Sequence, residues 1–359
     1  MQNVGGTPRI YVDILSYLQA IGKLKEINND FGIEYGRTDY DLIGLRPSDF
    51  CQLSREPGDF VIDFVSDIEI NKILTDNTFH AVLGHDFATN FVSYNVYASE
   101  LGGVESWIAN DGKAVNWESI YEGEGVEWGA LVPQFNGWSL STGTDGAAFE
   151  GKTIRWFLTS WESSLLPSIG SLAFGNYFDF PVSPDLQLSQ TIEMDGVEAQ
   201  KTKGGVEHSR LKYKGNPKWG SLGAWELGGF ANDWQINAFL NARSGRRSWD
   251  LSFSYIPDTD MFPTSSLGGG IITDPDEYDS SNISADGTET DSTLLKDDSF
   301  YSAVWNRTLG GRLPFIFQID KNNFNPDQLA ICKFDQDKLD IKRVAHNVYS
   351  IKVKIREVW

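Results

Sequence analysis

Hydrophobic and polar residues alternate with a period of two along much of this chain, and that alternation predicts β-strands. In "RIYVDIL" Ile10, Val12 and Ile14 face one way, and the following "SYLQAIG" fits a short helix. "DFVIDFVSDIEI" sets Phe60, Ile62 and Phe64 on one face. "TIRWFLTSW" sets Ile154, Trp156 and Leu158 on one face and Arg155, Phe157 and Thr159 on the other. "VEHSRLKYKG" alternates as well, and in "SWDLSFSYIPD" Trp249, Leu251, Phe253 and Tyr255 share a face. In the closing "NVYSIKVKIREVW" Tyr349, Ile351, Val353 and Ile355 point inward, while Lys352, Lys354 and Arg356 point out. A basic outward face of this kind guards a sheet edge or pairs with an acidic neighbour.

Glycine-rich and Asn-Asp-Gly turns separate the strands, a spacing that suits sandwiches and jelly rolls. The predicted fold class is all-β, with several β-sandwiches and a central jelly roll. The expected units are an N-terminal β unit over 1–76, a jelly roll over 77–182 and a C-terminal β domain over 183–359. An N-terminal unit paired with the C-terminal domain would make the jelly roll an insertion. "AWELGGFANDWQINAFLNARSG" reads as one helix or an irregular aromatic segment. The polar stretch at about 272–298, containing "TDPDEYDSSNISADGTETDS", has no periodicity and is expected to be a long acidic loop.

Composition narrows the function classes. A chain of 359 residues exceeds one ordinary core. Its 12 Trp and 22 Phe give ample material for burial, which excludes a disordered protein. The formal net charge of -20 repels phosphate backbones and anionic membranes, so neither nucleic acid nor a membrane surface is an expected partner. The N-terminus lacks the pattern of a secretory signal, and no run approaches the ~18 apolar residues of a membrane span. A soluble protein made in a cytoplasm is expected. Cys51 and Cys332 both sit beside apolar residues. Buried thiols are the expectation, with a single bridge between them left open.

Candidate chemistry is sparse. His80, His85, His208 and His346 are the histidines, and none has a companion at zinc-site spacing. Glu118, Glu122, Glu124 and Glu127 lie among Trp117, Tyr121 and Trp128, a mixture a retaining glycosidase would use only if two carboxylates converged to about 5 Å. Sugar binding without chemistry is the stronger alternative, with Trp107, Trp117, Trp128 and Trp138 as stacking candidates, and core anchoring is the plain one. The acidic loop lacks the order of an EF-hand, so structural calcium is a minor option. Neither a phosphate-binding glycine loop nor a G-x-S-x-G elbow is present. The expectation is a protein without catalytic residues, cofactor or resident metal.

"GGRLPFIF" raises a separate question. Gly310 and Gly311 permit a sharp bend, and Pro314 suits a strand start. Phe315 and Phe317 share one face and Ile316 takes the other. Two apolar faces both need cover, either from the chain itself or from a neighbouring subunit. Arg312, Phe315, Phe317, Lys352, Lys354 and Arg356 are accordingly the candidate assembly residues.

Three stretches carry a resemblance to a family. "VLGHDFAT", then "TIRWFLTSW…LLPSIGSLAFGNYFDFP", resemble the opening and closing strands of galactose-binding-like jelly rolls in tailed-bacteriophage tail proteins. "RSGRRSWDLSFSYI", "NRTLGGRLPFIFQIDKNN" and "LAICKF" resemble the C-terminal β domain that follows in the same proteins. The likeness spans about 80–359, and His85-Asp86 stands where the pattern more often has His-Asn. The resemblance implies a virion structural protein of the tail tip or baseplate, similar to distal-tail or minor-tail proteins. Its partners would be other tail proteins, further copies of itself and a host surface glycan. An adhesin or a glycoside hydrolase are the alternatives.

Overall fold

The structure, a computed structural model, describes residues 6–29, 32–33, 38–46, 51–54, 59–75, 77–99, 131–133, 137–143, 151–160, 167–186, 188–193, 197–211, 246–263, 298–323 and 328–358. In chain order, β1 (Arg9–Asp13) runs into α1 (Ile14–Ala20), followed by β2 (Leu24–Asn29), β3 (Gly32–Ile33), β4 (Cys51–Ser54) and β5 (Asp59–Ser66). Next come β6 (Thr78–His85), β7 (Val92–Ser99), β8 (Gly137–Gly143), β9 (Thr153–Ser160), β10 (Ser168–Ile169) and β11 (Ser171–Asp179). β12 (Ser189–Glu193) precedes the hairpin β13 (Val197–Lys201) and β14 (Glu207–Leu211). β15 (Arg246–Pro257) ends in the helical turn α2 (Asp258–Met261). A π-helical segment, Phe300–Asn306, leads to β16 (Phe315–Gln318), β17 (Leu329–Phe334), β18 (Ile341–Ala345) and β19 (Val348–Glu357).

The protein is an all-β sandwich protein. One ten-stranded antiparallel sheet runs β12-β15-β19-β17-β16-β1-β11-β6-β8, with β18 added on β19, and a four-stranded sheet runs β2-β5-β9-β7. The four-stranded sheet packs on the β6 and β11 end of the large one. Phe60, Ile62, Phe64, Ile154, Trp156 and Leu158 meet Val82, Leu172 and Phe174 there, and α1 adds Ile14, Leu15 and Leu18. A second core lies under the other end of the same sheet, where Trp249, Leu251, Phe253, Ile351, Val353 and Ile355 meet Phe315, Phe317 and Phe300. A third cluster, including Tyr11, Phe79, Leu83, Tyr177, Ile316 and Ile331, occupies the opposite face.

β1 is the seam. It pairs antiparallel with β11 on one side and β16 on the other. Ile10 and Val12 enter the second core and Tyr11 the third, so both faces of β1 are buried. Ile14 does not continue that strand. The Asp13 carboxylate accepts from the backbone N–H groups of Leu15 and Ser16, and this N-cap turns the chain into α1 at Ile14, two residues before the expected helix start at Ser16.

Two further expectations are corrected. Residue 76 is no boundary in strand pairing, because β2 and β5 from before it share a sheet with β7 and β9 from after it. Tyr255 does not share the face of Phe253. A register shift between Phe253 and Ile256 puts Ile256 into the core and leaves Tyr255 71% exposed.

Candidate functional site

The polar feature that the fold builds from several strands is the outward face of the C-terminal sheet. Ile351, Val353 and Ile355 of β19 are buried, so alternation sends Lys352, Lys354 and Arg356 to the other side. Register then adds their neighbours. Arg356 lies opposite Lys333 of β17 and Ser248 of β15, Lys354 opposite Asp250, and Lys352 opposite Ser252. Lys342 of β18 pairs with Ser350, one step along the same face, and Arg246 continues it on β15. Lys354 approaches Asp250 at 3.9 Å.

β19 is not an edge strand, which corrects the edge-guard expectation. β15 flanks it on one side, and β18 and β17 flank the two ends of the other. Between those ends Asp335 N–H donates to Lys354 O, and Lys354 N–H donates to Gln336 Oε1 at 2.9 Å. The alternative, pairing with an acidic neighbour, describes Lys354 beside Asp250.

Phe315 and Phe317 offer no assembly surface. Both are fully enclosed by the chain's own second core, Phe317 against Trp249 at 5.2 Å and Phe315 against Phe334 at 4.7 Å between ring centres. Ile316 is equally buried on the opposite face, so this chain itself covers both sides of β16. Gly310 and Gly311 both take positive φ and close the turn after the π-helical segment, and Arg312 is exposed beside Asp337 at 2.8 Å.

Trp138 lies on β8 with its ring in the third core, only 8% exposed, so it presents no stacking surface for a sugar. Trp107, Trp117, Trp128, the four glutamates Glu118, Glu122, Glu124 and Glu127, and the acidic stretch 272–297 lie outside the described residues.

The histidines do not converge. His80 and His85 are buried on β6, while His208 and His346 are exposed on the β14 strand and beside Arg343. Burial pushes both His80 and His85 down to about 3, so their rings stay neutral. His85 Nε2 lies 2.8 Å from Ser139 Oγ, and its Nδ1 accepts from Phe87 N–H, a local tie between β6 and β8. Among the described residues no three His, Cys, Asp or Glu side chains gather as a metal site. Cys51 sits in the first core and Cys332 in the second, both buried and neither in a disulfide. Burial raises the Cys332 thiol pKa further out of the reactive range.

Three ion pairs went unnoticed in the sequence. Arg155 binds Asp63 through two hydrogen bonds of 2.6 Å. Arg247 binds Glu357 at 3.0 Å and also donates to Leu329 O. Arg9 and Lys321 both reach Asp179, with Arg9 stacked over Tyr177 at 4.0 Å. Burial alone would raise the Asp179 carboxyl, but these two cations hold it below the usual carboxylate range. All three pairs join strands distant in sequence, so only register reveals them.

No family model matches the chain, and no curated protein matches it. A solved structure described as "The structure of the CBM32-1, CBM32-2, and M60 catalytic domains from Clostridium perfringens ZmpB" aligns with a TM-score of 0.28 and 12% identity. The alignment covers 46% of this chain and 17% of that one, and nothing about this chain's function rests on it.

Proposed function

We propose that this chain is a structural protein of a tailed-bacteriophage virion, placed at the tail tip or baseplate, where it joins tail components. One observation carries the reading. Strands from the stretches that resemble two successive modules of tail proteins, β6 and β11 on one side and β15 to β17 on the other, belong to one sheet because β1 is hydrogen-bonded between β11 and β16. A flexible linker would let such modules move independently. A shared ladder of backbone hydrogen bonds instead transmits displacement from one end to the other, which suits a part that holds neighbours in fixed geometry. The reading assigns no catalytic step and no cofactor. It gives Trp138 no glycan contact, since that ring is buried.

The test is biochemical. Purified tails from phage that encode the chain should contain it in fixed stoichiometry by mass spectrometry, and added chain should be retained by tails that lack it. Complete virions without the chain, or turnover of a polysaccharide by the purified protein, would overturn the reading.

A further inference from the structure

The outward face of the C-terminal sheet carries a pattern that the structural reading does not use. We propose that it binds an extended anionic polymer rich in hydroxyl groups, a polyol phosphate or a uronate glycan, laid along β19.

Lys352, Lys354 and Arg356 stand in one row on β19, because Ile351, Val353 and Ile355 between them turn into the core. Side chains two residues apart on a strand are spaced by about 6.8 Å. A polymer with one anionic group per short repeat therefore meets the three cations in turn. Register sets hydroxyls beside this row. Ser252 and Ser248 of β15 lie opposite Lys352 and Arg356, Thr191 of β12 follows opposite Ser248, and Ser350 continues the row on β19 itself. The cations donate to the anionic groups, while these hydroxyls both donate to and accept from the hydroxyls of the polymer. Lys342, opposite Ser350, and Lys333, opposite Arg356, widen the basic strip at its two ends. The nearby acids are Asp250, 3.9 Å from Lys354, and Asp335 just past β17.

The same side chains decide the class of ligand. The cores of protein interfaces are enriched in aromatic residues and depleted in Lys and Ser. On this face the outward positions from Ser248 to Ser252 and from Ser350 to Arg356 hold only Ser, Asp, Lys and Arg. Single-stranded nucleic acid stacks its bases on aromatic rings, which those positions lack. Duplex DNA is read by an element that enters a groove, whereas this is the broad face of a sheet. The net charge of -20 also opposes a densely charged phosphate backbone. A polymer of sparser charge is opposed less. At ~0.1 M salt, acids more than about 10 Å away are largely screened, while the row in contact is not.

The experiment is biolayer interferometry of the full chain over immobilised poly(glycerol phosphate), polygalacturonate, dextran and oligo(dT), at ~0.1 M and ~1 M salt. The chain should bind at least one of the two anionic polymers at the lower salt and release it at the higher. Binding to poly(glycerol phosphate) alone assigns a phosphate ligand, to polygalacturonate alone a carboxylate, and to both a site that reads charge spacing. Dextran should not bind, and oligo(dT) should bind more weakly. Lys352→Glu with Lys354→Glu should weaken binding by roughly tenfold or more while the thermal melt stays unchanged. Should that pair of changes disturb folding, Lys342→Glu on exposed β18 reads the same face. Lys201→Glu, on the exposed hairpin strand β13, is the control for net charge and should leave binding as it is. Binding to neither anionic polymer, equal binding to dextran, tighter binding to oligo(dT), or a loss as large from Lys201→Glu would each overturn the proposal. So would binding indifferent to the charge reversals on β18 and β19. A chain that tails retain but that ignores both polymers sinks this inference and spares the structural reading. A chain that binds a polymer but is absent from tails does the reverse.

Discussion

Asp63 and Arg155 stand directly opposite each other on β5 and β9 and form a two-pronged ion pair, with side chains 0% and 5% exposed. The pair lies on the face of the four-stranded sheet that looks away from the first core, since Phe60, Ile62, Phe64 and Trp156 take the inner face. An enclosed cation deprived of its partner is far more costly than the pair itself is stabilising. Asp63→Ala should therefore destabilise the fold by about 3–5 kcal/mol. Asp63→Leu combined with Arg155→Met should recover most of that loss. Urea unfolding of the single and double variants measures both numbers. A single variant within about 1 kcal/mol of the parent would show that solvent reaches the site.

Phe317 tests whether β16 serves folding or assembly. Its ring is wholly buried against Trp249, so Phe317→Ala opens a cavity and should remove about 3–5 kcal/mol. The protein that remains folded should keep the oligomeric state that sedimentation velocity gives for the parent. A stable Phe317→Ala protein with a changed oligomeric state would return this residue to an interface.

The inner faces of β5, β9 and β19 were legible in the sequence, because one side of each meets a core and alternation records that side. Partners were not. Asp63 and Arg155 are adjacent in space but far apart along the chain, and alternation specifies a face without naming the strand across it. That is why the break near 76 seemed reasonable and why Lys333, Lys342 and Arg246 were missing from the candidate face. Tyr255 failed for a local reason, since one bulge reverses every side chain beyond it. With Phe315, Ile316 and Phe317 the sequence reported two covered faces and was silent on what covers them.

Acid should unfold this protein through His80 and His85. Both rings are kept neutral by burial, down to about 3, while the unfolded chain takes up these protons near ~6.5. The stability they contribute is complete above about pH 6.5 and is lost as the pH falls toward 3. Asp13 opposes them. Burial raises its carboxyl to about 6 against the pull of its hydrogen bonds from Ser16, Phe174 and Leu15. Its contribution is full below its ordinary ~3.9 and disappears as the pH rises through 6. Two protons against one leaves a net loss on acidification between these limits. Thermal melts from pH 7.5 to 4 should fall more steeply for the parent than for His80→Gln, by roughly one proton in the slope. Equal slopes would mean that His80 is protonated in the folded protein.

The seam depends on a residue with no side chain. Gly175 of β11 sits opposite Asp13, and a Cβ there would lie 2.0 Å from the backbone oxygen of Val12 and 2.9 Å from the nitrogen of Ile14. Backbone atoms of a paired strand cannot swing aside as a flexible side chain can, so Gly175→Ala must push β1 away from β11. Gly22 is the matched control. It has positive φ but nothing within 4 Å of its would-be Cβ, so Gly22→Ala pays only for its own conformation, about 1 kcal/mol. Gly175→Ala should be far more damaging, and hydrogen exchange should show it first in the amides shared by β1, β11 and β16. Among the described residues β1 is the strand that pairs with both β11 and β16, so loosening it should let the two ends of the large sheet unfold in separate steps where the parent melts in one. A single transition in Gly175→Ala, with exchange in β1 unchanged, would show that the two halves are held together by something other than this strand.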